Sequence, residues 1–175
     1  MKEFGGKVLV LDRNDINTDE IIPAKYLTAA ARKDLRDHVL EDLLLDSKPL
    51  SLNKIRSCRV AVTRANFGCG SSREHAAWVF EENGITAVLA VSFSRIFRQN
   101  MFNCGLLAIE LPEEVIGKII ALSRDSETEI FINLEKKTIS VHASAWSEEI
   151  SFNLGIFEKK LVQTGGWVEY ADKNY

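Results

Sequence analysis

Apolar residues along the chain fall into short runs separated by stretches of helical spacing. Residues 7–11, KVLVL, have the length and β-branched content of a buried strand. The same holds for 59–63 (RVAVT), 87–91 (AVLAV) and 106–111 (LLAIEL). In 29–45, Leu35, Val39, Leu40, Leu43 and Leu44 recur at three- and four-residue steps, which predicts a helix. Residues 73–82 and 95–103 predict two more, closed by Asn83-Gly84 and by Gly105. Pro112 followed by Glu113 and Glu114 opens a helix over 112–122, since acids in a first turn complement the macrodipole. Strand and helix thus alternate through the first two thirds of the chain, the pattern of an α/β layered core with parallel strands.

The period then changes. EIFINLEKKTISV, 129–141, predicts a hairpin turning at 135–137. Residues 148–154 add a strand, 155–166 a short closing helix, and 167–175 read as a tail. Residues 45–55 read as a surface connection, and DRNDINTDEIIP, 12–23, as a turn-bearing loop that Pro23 ends. The expected fold is one α/β domain over 1–175, with a mixed, partly parallel sheet flanked by helices.

Composition narrows the function classes. A chain of 175 residues buries roughly 70% of its unfolded surface and can build a core without staples. Its net charge of -3 supplies no basic stripe for nucleic acid. No apolar run approaches the length of a signal peptide or membrane span, so a cytoplasmic location is expected. Cys58, Cys69 and Cys104 form an odd set with no C-x-x-C pair, which argues against a disulfide framework.

The candidate chemistry sits in NFGCGSSREH, 66–75. Ser71 to Glu74 fits S-x-x-E, a capping box worth ~1 kcal/mol that by itself implies no function. The clustering exceeds that bland reading. Gly68 and Gly70 permit close backbone approach to a ligand. A helix N-terminus after a strand favours anions, and Arg73 grips carboxylates bidentately. Sharper motifs are absent: no G-x-x-x-x-G-K-[ST], no G-x-S-x-G and no G-x-G-x-x-G. Cys69 and His75 lack companions at metal-ligand spacing. Cys69 reads as a packing residue before a reactive thiol, and His75 as structural. Asp15 and Asn17 have the character of Asx-turn residues.

Together, NFGCGSSREHA, DINTDEIIP and SFSRIFRQNMFNCGL resemble, in order and spacing, the small subunit of 3-isopropylmalate dehydratase, a swivelling domain of the aconitase superfamily. The resemblance implies an aconitase C-terminal-like fold. It implies a hydro-lyase that isomerises 2-isopropylmalate to 3-isopropylmalate by dehydration and rehydration, active only with a large subunit. No metal or cofactor is expected on this chain; a 4Fe–4S cluster is expected on the large subunit. By motif position Ser71 corresponds to the catalytic base, and Ser72 and Arg73 to binders of the substrate carboxylate.

Gly70, Thr18 and Asp19 are implied as supporting residues. Two acids beside an anion site repel substrate unless paired, so Asp19 is expected to orient a basic group or cap a helix. The segment after Ile21-Ile22-Pro23 is implied to reach the substrate's variable group. Some relatives carry Arg after Tyr-Leu; here Thr28 follows Tyr26-Leu27. Arg32 can replace that charge, although a solvated face is the commoner fate of Arg32, Lys33 and Arg36. The departure at Thr28 keeps homoaconitase and dimethylmalate-type dehydratase as alternatives; an apolar lining from Leu27 and its neighbours suits isopropyl and, since one methylene discriminates by only ~1–3 kcal/mol, a methyl-bearing malate nearly as well.

Overall fold

The four short apolar runs form the parallel half of the sheet. In the computed structural model, which describes residues 3–144 and 146–175, they are β1 (Gly5–Leu11), β4 (Val60–Thr63), β5 (Ala87–Ala90) and β6 (Leu107–Glu110). Every residue of β4 and β5 is buried, as a strand covered by helices on both faces requires. The alternating segment forms β7 (Glu129–Asn133), β8 (Thr138–Ala143) and β9 (Trp146–Ser151). These pair antiparallel and join the parallel half through β1, giving the seven-stranded order β6-β5-β4-β1-β7-β8-β9. Val8 pairs with Val60 and Leu11 with Thr63, so the carboxyl ends of β1 and β4 lie side by side. That register brings the two motif loops together.

The helices are α1 (Thr18–Ile21), α2 (Leu52–Ser57), α3 (His75–Glu82), α4 (Arg95–Asn103), α5 (Glu113–Asp125), α6 (Ile156–Thr164) and α7 (Trp167–Asn174). A small hairpin, β2 (Leu44–Leu45) and β3 (Lys48–Pro49), precedes α2. The buried side chains form one cluster running from Phe4 to Val162.

Several expectations need correction. The helix expected over 29–45 is a 3-10 helix, Arg32–His38, followed by turns. Leu35, Val39, Leu40 and Leu43 are buried as the periodicity requires. The backbone is not α-helical, because Leu40 sits at φ 53 and breaks the turn. The connection at 45–55 contains a strand and the start of α2, whose N-cap Ser51 accepts from the Lys54 N–H at 3.1 Å. The expected tail forms α7: Trp167 and Tyr170, a turn apart, both meet Phe157 of α6.

Candidate active site

The loops after β1 and β4 run in parallel beyond the sheet. Asn17 and Cys69 form an isolated bridge; Thr18 N–H donates to the Cys69 carbonyl at 2.9 Å and Gly68 N–H to that of Ile16 at 2.8 Å. On the other side, Phe67 N–H donates to Ser92 at 3.1 Å, and Ser94 N–H donates back to Phe67 at 2.9 Å. The 64–74 loop is therefore suspended between two neighbours. The Asp15 carboxylate accepts from Asn66 Nδ2 at 2.9 Å, across the loops instead of within its own turn. Asn17 closes a true capping box at α1: it accepts from Glu20 N–H at 2.9 Å, and Glu20 accepts from Asn17 N–H at 3.3 Å.

The Ser71 capping box does not form. Helix α3 starts at His75 with Glu74 at its N-cap and no side-chain cap bond. Ser71 lies upstream, exposed, and its carbonyl accepts from the buried Thr18 hydroxyl at 2.7 Å. That bond fixes the backbone at Ser71 and leaves Oγ without a partner among the described residues. The N–H groups of residues 70–75 likewise donate to no acceptor among the described residues. These are the orphan donors of a helix entry, extended upstream into the loop.

The glycines act differently from each other. Gly68 has φ 79, and a Cβ there would lie 2.2 Å from Phe97 Cγ. Its missing side chain is filled by the Phe97 ring, not by ligand. Gly68→Ala should therefore cost about 2–4 kcal/mol through overpacking and a left-handed backbone. Denaturant unfolding measures it, and a loss below about 0.5 kcal/mol would contradict this account. Gly70 has φ 90 with its Cβ position clear beyond 3.5 Å, so its conformation alone calls for glycine.

Arg73 is mostly buried, its side chain 12% exposed. One nitrogen, Nη1, donates to Asp19 Oδ1 at 2.9 Å and to the Ile22 carbonyl at 3.2 Å. Asp19 also accepts from Ala24 N–H at 2.9 Å. The Arg73 hydrogen bond, then that of Ala24, holds the Asp19 carboxyl below the usual carboxylate range. Arg73 Nη2 and Nε make no bond among the described residues, which leaves one edge of the guanidinium for an anion.

Burial pushes the Cys69 thiol up, and the Asp15 carboxylate adds to that, so Cys69 is a protonated thiol and a poor nucleophile. Ser71, Ser72, Arg73, Thr18, Asp19 and Gly70 converge at one place. Thr28 is exposed in a turn of the adjoining segment. Arg32 stacks over Trp78 at 4.5 Å and donates to Glu81 at 3.2 Å. Sequence reading did not single out Ile22, Trp78 or Phe97; the i, i+3 spacing of Trp78 and Glu81 was the one available signal. Among the described residues, no group of three or more His, Cys, Asp or Glu is placed to hold a metal ion. No described helix is long and apolar enough to cross a membrane.

An exposed hydroxyl, open N–H groups and a half-free guanidinium lie at the carboxyl ends of parallel strands, the place where open α/β sheets take their ligands. The family model for the aconitase C-terminal domain matches residues 1–114. The 3-isopropylmalate dehydratase small subunit of Aliarcobacter butzleri is 38% identical over 98% of this chain and 95% of its own. That of Novosphingobium aromaticivorans is 32% identical over 94% and 80%. The crystal structure of 3-isopropylmalate dehydratase from Methanocaldococcus jannaschii superposes with a TM-score of 0.77 at 30% identity, covering 99% of this chain and 95% of that one. The chain belongs to the 3-isopropylmalate dehydratase small subunits of the aconitase C-terminal domain family.

Proposed function

We propose that this chain works, as a single swivelling domain over 1–175, in a heteromeric hydro-lyase that interconverts 2-isopropylmalate and 3-isopropylmalate. The observation that carries the reading is the run of N–H groups at 70–75 beside Arg73, which, like the Ser71 hydroxyl on the same loop, find no partner among the described residues. Arg73 binds a substrate carboxylate through its open edge, and Ser72 adds a hydroxyl donor. Ser71 takes the proton from the carbon next to that carboxylate and returns it on rehydration.

A serine hydroxyl is a weaker acid than tyrosine, whose pKa is about 10. A helix N-terminus contributes up to ~2 kcal/mol, about 1.5 pKa units. That is too little, and α3 starts four residues beyond Ser71. The loop N–H groups must therefore bear on the alkoxide directly, in a site closed to water. Ser71 and Ser72 are exposed here, so closure falls to a large subunit. Among the described residues, the three cysteines do not gather into a ligand set. The resemblance places a 4Fe–4S cluster on the large subunit, where it would supply a Lewis acid for the departing hydroxyl. The chain alone should be inert toward 2-isopropylmalate, and turnover should appear on mixing with its large subunit. Turnover of only a longer tricarboxylate or a dimethylmalate would move the substrate to a related hydro-lyase.

A further inference from the structure

Thr18 makes two bonds to the 64–74 loop, and each fixes one peptide. Its N–H donates to the Cys69 carbonyl at 2.9 Å, and its hydroxyl to the Ser71 carbonyl at 2.7 Å. The described peptides are all trans. In a trans peptide the C=O and the following N–H point in opposite directions. With the Cys69 and Ser71 carbonyls turned toward α1, the N–H groups of Gly70 and Ser72 leave the loop on the side away from it. Neither finds an acceptor among the described residues. Backbone N–H groups turned to one side of a loop make a concavity that suits an anion. Thr18 is itself held. It is buried, it opens α1 behind the Asn17 capping box, and Glu20 of that box pairs with Arg13.

We propose that Thr18 is a positioning residue for the reaction: its hydroxyl holds the 71–72 peptide with the N–H outward, so that a donor is in place before negative charge develops in the site. The proposal rests on the hydro-lyase reading for that charge, and on the two Thr18 bonds for the peptide. Without the hydroxyl, the Ser71 carbonyl loses that partner, and the peptide is free to turn. An oxygen would then face the site where a hydrogen is needed. Donors oriented in advance cost no reorganisation at the moment of reaction, and losing one lowers turnover by about 10²–10³. A hydroxyl that only filled space behaves differently: a methyl replaces it without effect on the chemistry.

Thr18→Val keeps the side-chain shape and removes the donor; Thr18→Ser keeps the donor and removes a methyl. In the assembled enzyme, Thr18→Val should lower kcat for 2-isopropylmalate about a hundredfold. KM should rise by less than about fivefold, because Arg73 still holds the carboxylate. Thr18→Ala, which lacks the hydroxyl with less bulk, should lose as much kcat as Thr18→Val. Thr18→Ser should stay within about threefold of wild type in both constants. A crystal structure of the Thr18→Val chain should show the 71–72 peptide turned, with the Ser71 carbonyl away from α1. Wild-type kcat in Thr18→Val, or an equal loss in Thr18→Ser, would overturn the positioning role. An assembled wild-type enzyme inactive on every malate would sink the hydro-lyase reading and the catalytic part of the proposal with it. The crystal structure still decides the peptide: an unturned 71–72 peptide in Thr18→Val would overturn the orienting role by itself.

Discussion

Ser71→Ala should lower turnover of the assembled enzyme by about a thousandfold, the scale on which a general base contributes. The loss should fall on kcat, with KM nearly unchanged, because carboxylate binding lies with Arg73 and the loop N–H groups. The fold should not notice. Thr18 bonds the carbonyl at position 71, not the hydroxyl, and the side chain is exposed. The melting temperature should therefore shift by no more than about 2 °C. A variant that keeps wild-type kcat would remove Ser71 from the chemistry, and a large drop in melting temperature would make it structural.

Arg73→Lys should raise KM by about a hundredfold, since an ammonium cannot present a planar edge while also holding Asp19 and Ile22. The Arg73–Asp19 pair also gives a pH signature. Asp19 is held below its ordinary 3.8 by Arg73, so the ion pair persists as pH falls past that value and is lost only through the lower folded value. Its support is thus complete above about pH 5. Asp19→Asn should raise KM at neutral pH, where the wild-type carboxylate is ionised, and leave kcat little changed. A KM for Arg73→Lys within threefold of wild type would contradict the assignment.

The parallel strands and α3 to α5 were legible because each is a closed local pattern: an apolar run, a helical period and a glycine or proline stop. The segment after Pro23 was not. Leu35, Val39, Leu40 and Leu43 face the core at helical spacing, yet the segment is held by Tyr26, fifteen residues from its partner Glu41, and by Arg32, forty-nine from Glu81. Periodicity reports which side chains are buried, and a 3-10 turn buries much the same set as an α-helix. Ser71 failed as a cap for a related reason. S-x-x-E describes spacing, and Thr18, fifty-three positions away, competes for the backbone at Ser71. The candidate site was legible as a cluster, since Gly, Ser and Arg fall in one stretch. The division of labour between Gly68 and Gly70 was not, because it depends on where Phe97 packs.

The central claim is that this chain offers a carboxylate cradle and a serine base that work only when a partner closes over them. The most direct measurement compares 2-isopropylmalate turnover by the chain alone, by the chain with its large subunit, and by that complex carrying Ser71→Ala. The account predicts turnover in the second case only, with the third down about a thousandfold. Turnover by the isolated chain, or wild-type turnover by the Ser71→Ala complex, would contradict it.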